Sequence, residues 1–142
     1  MPTGIKIKVS ALIHSPAARV WECYNRPEHI VKWNSATPDW HTPRAENDLR
    51  VGGRFLSRME AKDGSSGFDF EGVYDTVREN EEIAYTLADG RKVRITMEEN
   101  GSTTNMAIVF DSDTVYPPEA QQQGWQAILN NFKKYCEDML KS

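Results

Sequence analysis

The residues able to do chemistry are few and scattered. The histidines are His14, His29 and His41, and the cysteines are Cys23 and Cys136. A mononuclear iron-type site needs two histidines and a carboxylate converging on one point. His29 and His41 with Asp39 are the sequence-near set, and no histidine pairs with another His or Cys at ligand spacing. No metal and no cofactor is expected. Nucleophilic catalysis has no Gly-x-Ser-x-Gly to rest on, and neither cysteine has a histidine partner in sequence. Cys23 and Cys136 fall on two different predicted helices, outside any CxxC spacing, and read as free, partly buried thiols of a reducing compartment. Glu71 lies in an otherwise aromatic and apolar strand. Buried, it would have a raised pKa suited to proton transfer; by alternation it shares the solvent face with Asp69 and Asp75. A tyrosine hydroxyl turned inward, from Tyr74 or Tyr85, would need a partner, which a ligand or water would supply. No catalytic residue is assigned on these grounds.

The elements that hold these residues can be read from periodicity. Ile5, Ile7, Val9, Ala11 and Ile13 alternate with Lys6, Lys8, Ser10 and Leu12, a strand with one buried face. Ser15 as N-cap and Pro16 at the first helical position open a short helix with Ala17, Val20, Trp21 and Tyr24 on its apolar side. Pro27 breaks it, and Glu28 to Trp33 forms a second short helix. Residues Asn34 to Asp48 are rich in Ser, Thr, Pro, Asp and Asn and read as a long loop carrying Trp40 and His41. A short strand at Asp48 to Val51 precedes the Gly52-Gly53 turn. Longer ones follow at Phe55 to Ala61, Phe68 to Arg78, Ile83 to Leu87, Val93 to Met97 and Thr104 to Phe110. Asp63-Gly64, Asn80, Asp89-Gly90 and Asn100-Gly101 turn the chain between them. In the strand from Phe68, the residues Phe68, Phe70, Gly72, Tyr74 and Thr76 face one way.

The chain ends in one long amphipathic helix. Pro118 suits its first position, and Trp125, Ile128, Leu129, Phe132, Cys136 and Met139 recur at three- and four-residue spacing. Gly124 beside Trp125 is read as a place where the backbone approaches the sheet or a ligand closely. The fold class is α+β: about six antiparallel strands, apolar on one face, curved around the only helix long enough to cover them. A gap between helix and sheet, with the short helices and the loop at its mouth, is the natural place for a small molecule.

At 142 residues the length fits a single domain, residues 1–142, and the net charge of −4 with dispersed basic residues does not indicate a nucleic-acid partner. No stretch approaches the roughly 20 apolar residues of a membrane span, and the alternating start of the chain is not a leader peptide. A cytoplasmic protein is expected. An edge strand left open would let two copies pair into a homodimer.

The order of elements resembles the START/birch-pollen-allergen superfamily, SRPBCC. Within it the chain is similar to the family of Hsp90 ATPase activator homologues in its stand-alone bacterial form. The residues that carry the likeness begin with Ser15-Pro16, Val20-Trp21, Pro27-Glu28 and Trp33. Gly52-Gly53-Arg54-Phe55, Glu71-Gly72-Val73-Tyr74, Glu82-Ile83-Ala84-Tyr85 and Asp89-Gly90 continue it, and Gly101, Thr103 or Thr104 and Gly124-Trp125 complete it. The resemblance implies a helix-grip fold with a mostly apolar cavity. Members of the superfamily bind lipids, hormones or polyketides, and some cyclise or hydrolyse them. The eukaryotic namesake binds a chaperone through an additional N-terminal domain for which this chain has no room, so a chaperone partner is the lesser expectation. The main expectation is a binding protein for a small apolar or amphipathic ligand. Its lining comes from Phe55, Met59, Phe70, Tyr74, Tyr85, Ile95, Met106 and Ile108 on the sheet and from Trp125, Leu129 and Phe132 on the helix, with Trp33 and Trp40 at the mouth. The alternative is a polyketide cyclase- or hydrolase-like enzyme using Tyr74 or Glu71 as acid or base.

Overall fold

The structure, a computed structural model, describes residues 5–113 and 115–141, the side chains of residues 140 and 141 apart. Strand β1 (Lys6–Ile13) leads into helices α1 (Ala17–Asn25) and α2 (Pro27–Trp33). Strands β2 (Trp40–Asn47), β3 (Arg54–Ala61), β4 (Gly67–Arg78), β5 (Glu82–Leu87), β6 (Lys92–Asn100) and β7 (Thr103–Asp111) follow, and α3 (Pro118–Lys141) closes the chain. The seven strands form one antiparallel sheet in the order β1-β7-β6-β5-β4-β3-β2. The alternation expected for β1, β3, β6 and β7 is the observed one, with Ile7, Val9, Met59, Val93, Ile95, Met106, Ile108 and Phe110 all buried. From α3, Leu129, Phe132 and Cys136 enter the same core. The sheet is therefore apolar on its concave side and curls around α3.

The seventh strand corrects the reading of residues 34–48 as a loop. Trp40–Asn47 is a strand, and the short strand expected at Asp48 to Val51 is instead the turn into β3. Its pattern was hidden because β2 is an edge strand with a register shift between His41 and Arg44, and Pro43 falls inside that shift. Edge strands and bulges are where proline and polar residues are tolerated. Strand β4 holds a second irregularity. Its pairing with β5 slips between Tyr74 and Thr76, so that Val77, and not Thr76, packs against the core beyond the bulge.

The start of α1 also differs from expectation. Pro16 is the N-cap, and no side chain of the cap accepts a hydrogen bond. Glu99 of β6 takes over that role across the fold, its Oε2 accepting from the Ala17 N–H at 2.8 Å. Ser15 is buried, and its carbonyl accepts from Thr104 Oγ1 at 2.8 Å. A cap supplied from another strand leaves no local pattern to read. Gly124 does not bring backbones together: nothing lies within 4 Å of the place a Cβ would occupy.

Helix α3 lies along β1, and its side chains answer the edge of that strand. Gln122 Nε2 donates to the Lys8 carbonyl at 3.2 Å and Gln126 Nε2 to the Ser10 carbonyl at 3.1 Å. Edge carbonyls that would template another strand are thereby occupied. Near its end, Glu137 pins the helix to the end of β1. Its Oε2 accepts from the His14 backbone N–H at 2.8 Å and from Lys133 Nζ at 2.6 Å, and lies 2.9 Å from His14 Nδ1. Burial alone would push the Glu137 carboxyl up, but the bonds from Lys133 and His14 outweigh it and hold the pKa at about 2, against 4.5 for the free side chain. A carboxylate with a depressed folded pKa adds stability above its unfolded value and loses it as pH falls through the folded one. Between pH 4.5 and 2 the protein is therefore expected to lose about 1–2 kcal/mol through this group, after discounting for solvent screening. Urea unfolding of Glu137→Gln across that range checks it. The variant should show a flatter acid limb, and an unchanged pH dependence would remove Glu137 from the account.

Candidate functional site

Between α3 and the concave sheet lies a cavity of about 450 Å³. Its floor is built by alternate residues of five neighbouring strands: Phe55, Ser57 and Met59 of β3, Phe68, Phe70 and Tyr74 of β4, Ile83 and Tyr85 of β5, Ile95 of β6 and Ile108 of β7. Trp125, Ile128 and Leu129 form its roof from one face of α3. The short helices bring Tyr24, Asn25, Ile30 and Trp33 to its side, and β2 brings Glu46 and Asn47. Asp113 and Tyr116 reach it from the β7–α3 connection. Buried Gln121 fixes that connection, accepting from the Asp113 N–H at 2.9 Å and donating to the Tyr116 carbonyl at 2.7 Å.

Aromatic packing sets the walls. Phe55 is the hub of the floor, with ring centroids 4.6 Å from Tyr85, 5.3 Å from Tyr74 and 5.8 Å from Phe70. Trp125 stacks on Phe110 at 4.0 Å and meets Phe70 edge-on at 6.0 Å, so its indole stands against the sheet as a fixed wall. Trp33 stacks on Tyr24 at 4.9 Å and donates its ring N–H to the Cys23 carbonyl at 3.0 Å, which leaves it only an apolar face for the cavity.

The polar groups are sparse. Tyr74 donates its hydroxyl to Asn47 Oδ1, and Asn47 Nδ2 donates in turn to the Asn25 carbonyl at 2.7 Å. Burial pushes the hydroxyls of Tyr24, Tyr74 and Tyr85 above the ordinary phenol range, and Tyr24 adds to the effect on the other two. All three stay protonated near neutrality, as hydrogen-bonding groups and not as bases. Arg91 is held by Asp89 at 2.7 Å and faces Asp113 at 3.8 Å. Glu71 is exposed on the outer face of β4, away from this lining.

Of the residues singled out from the sequence, Trp33, Phe55, Met59, Phe70, Tyr74, Tyr85, Ile95, Ile108, Trp125 and Leu129 come together around the cavity. Trp40, Met106 and Phe132 do not line it. Trp40, at the start of the edge strand, packs on Phe68 at 6.0 Å, while Met106 and Phe132 are sealed in the core. Tyr24, Asn47, Ile83 and Ile128 were missed. Tyr24 stood on the apolar side expected for α1 and Ile128 on the stripe of α3, so both were findable; Asn47 was hidden in the segment read as a loop.

The remaining chemical groups are engaged elsewhere. His14 meets Glu137, His29 Nδ1 lies 2.6 Å from Tyr135 Oη, and His41 lies 3.9 Å from Glu60. Among the described residues no three His, Cys, Asp or Glu side chains group so as to hold a metal ion. Cys23 and Cys136, both buried, share a hydrogen bond between α1 and α3. The first proton of the pair would leave Cys23, whose thiolate the Cys136 S–H supports; Cys136, donating that bond and buried, is held well above the ordinary thiol range. No helix among the described residues is long and apolar enough to cross a membrane.

A curled antiparallel sheet closed over one long C-terminal helix, with two short helices after the first strand, is the helix-grip architecture of the SRPBCC superfamily. Within it the chain belongs to the Activator of Hsp90 ATPase homolog 1-like family, whose model matches residues 14–137. The AHSA1-like protein from Aeromonas hydrophila, solved by NMR, is 40% identical over 97% of this chain and 96% of that one, with a TM-score of 0.90. A protein from Cytophaga hutchinsonii is 51% identical over 96% of this chain and 94% of that one, with a TM-score of 0.82. A Nitrosomonas europaea protein shares the fold at 17% identity, covering 100% of both chains with a TM-score of 0.83. No curated protein matches the chain.

Proposed function

We propose that the chain is a binding protein for a small, largely apolar molecule held between α3 and the sheet. The observation that carries this reading is the cavity of about 450 Å³, in the range of small-molecule sites and walled by aromatic and aliphatic side chains with a few convergent polar groups. A core of this size range closes on itself when nothing has to fit inside, because voids cost packing contacts. The family's description favours a second reading, a module acting on a chaperone ATPase. A continuous exposed apolar surface would support that role. Among the described residues, the exposed large apolar ones are instead spread over the residue before β1 (Ile5), β1 (Leu12), the β2–β3 turn (Val51), β4 (Phe68) and the β7–α3 connection (Val115, Tyr116).

The test is to fill the lumen. Ile128 is half-buried at the roof, and Ile128→Trp projects an indole into the space without removing a sealed core side chain. Titration with 1-anilinonaphthalene, an uncharged dye read by its fluorescence, should give a saturable site in the unmodified protein. Its affinity should fall about tenfold or more in the variant, the equivalent of losing one well-packed group. Saturable binding that is indifferent to Ile128→Trp would place the site elsewhere and end this reading. Native mass spectrometry of the protein as purified from cells would then identify the natural occupant.

A further inference from the structure

The phenols of the cavity are not equivalent. Tyr74 has its proton committed to Asn47, whose own amide is oriented by the Asn25 carbonyl, so Tyr74 has only lone pairs left for the lumen. The hydroxyls of Tyr24 and Tyr85 have no hydrogen-bond partner among the described residues. Tyr85 is 6% exposed, and a phenol so deeply buried ordinarily has a partner. Its hydroxyl oxygen is not sealed inside the core, since Ser15 Oγ is the only side-chain nitrogen or oxygen among the described residues that is both sealed and unbonded. The space left for the Tyr85 hydroxyl is the cavity it lines.

Resting on the reading of the cavity as a binding site, we infer that Tyr24 and Tyr85 form a polar subsite for the carbonyl oxygen of a neutral, otherwise apolar ligand. A carbonyl oxygen has two lone pairs and can accept from both phenols, whereas an ammonium or amide N–H could be accepted by a phenol oxygen but would leave the O–H itself without a partner. Both phenols line the same cavity of about 450 Å³. Charge argues against an anionic head group. The charged lining residues are Glu46, Asp113 and Arg91, and the one cation is already paired with Asp89 and Asp113. A carboxylate would meet a net negative wall and would have to leave water for a site with no free cation. A ketone, ester or amide carbonyl leaves water at far smaller cost and gains two donors. The apolar remainder would lie along Phe55, Phe70 and Trp125.

A matched pair of probes isolates the oxygen: 2-acetylnaphthalene, which carries a ketone, and 2-isopropenylnaphthalene, in which a methylene replaces that oxygen at nearly the same shape. Both are titrated by tryptophan fluorescence into the unmodified protein, Tyr85→Phe and Tyr24→Phe. The unmodified protein should bind the ketone about tenfold more tightly than the alkene, the value of one or two buried hydrogen bonds. Each phenylalanine variant should lose most of that preference while keeping its affinity for the alkene. Thermal unfolding supplies an independent reading. Tyr85→Phe removes an unbonded hydroxyl and should leave the melting temperature unchanged or raised, whereas Tyr74→Phe breaks the bond to Asn47 and should lower it. Equal binding of ketone and alkene overturns the subsite and leaves the cavity as an apolar binding site. Binding of neither probe, by a protein that also fails to take up the anilinonaphthalene dye, overturns both.

Discussion

Replacing Phe132 by alanine is expected to lower the stability of the protein by about 3–5 kcal/mol, the range for emptying a buried aromatic site. The ring is 0% exposed and faces Trp33 at 5.0 Å and Tyr24 at 5.1 Å, both edge-on, while those two rings stack on each other. One residue each from α1, α2 and α3 thus forms a three-ring cluster at the place where the terminal helix meets the two short ones. The short helices depend on tertiary packing of this kind: α1 spans nine residues and α2 seven, below the length at which a helix is stable by itself. Removing the central ring leaves a cavity that the two remaining aromatics cannot collapse into without giving up their stacking and the bond from Trp33 to the Cys23 carbonyl. Because Tyr24 and Trp33 also line the ligand-sized cavity, the loss should be felt there, as weaker dye binding in whatever fraction stays folded. Phe132→Leu, which keeps most of the volume, should cost about 1.5 kcal/mol or less. Urea unfolding of the two variants decides the matter: a cost below about 1 kcal/mol for the alanine would mean that α1 and α2 are held by something other than this cluster.

Phe132 also shows where sequence reasoning stops. Its place on the apolar stripe of α3 was plain from spacing, and so was the grip of the sheet on that stripe. Whether a residue of the stripe meets empty space or another ring was not, because that depends on how far along the helix the sheet stays in contact. Leu129 and Ile128 reach the cavity, and Phe132, a turn later, has run past its end. The hairpins were legible because each turn carries a chemical signature: Asn80 and the glycines at 64, 90 and 101 take positive φ where turn residues had been expected. Strand β2 was not, since an edge strand with a bulge has neither clean alternation nor a need for apolar residues on both faces. That omission also hid Asn47, the residue that commits the proton of Tyr74 and so makes the phenols of the site inequivalent. The N-terminus of α1 was unreadable for a similar reason, its first N–H being answered by Glu99, 82 residues away in the chain.

The glycine pair at the β2–β3 turn separates two kinds of glycine requirement, and Gly53→Ala is expected to cost about 2–4 kcal/mol while Gly52→Ala costs about 1. Gly52 has φ of +83° with nothing within 4 Å of an added Cβ, so alanine there meets only the penalty of the left-handed conformation. Gly53 has no such φ; its constraint is space. A Cβ would fall 2.1 Å from the Asp48 carbonyl oxygen and 3.0 Å from that of Arg50, and neither is a side chain that can swing away. Relief has to come from the backbone of the turn, which is tied at both ends. Gly53 N–H donates to the Arg50 carbonyl at 2.8 Å, and the Asp48 N–H to the Arg54 carbonyl at 2.9 Å. More importantly, the turn is bonded to β4 at a cavity residue: Tyr74 N–H donates to the Gly53 carbonyl at 3.0 Å, and the Gly52 N–H to the Tyr74 carbonyl at 2.9 Å. Shifting Gly53 therefore loosens Tyr74, and with it the contact to Asn47 just before the same turn. Urea unfolding of both variants tests the energetic order, and the Tyr74 amide resonance, followed by NMR, tests the route. Gly53→Ala should move that resonance and speed its hydrogen exchange, while Gly52→Ala should leave it nearly in place. Equal and mild effects from the two substitutions would show that the turn can rearrange freely, and that the cavity floor does not depend on it.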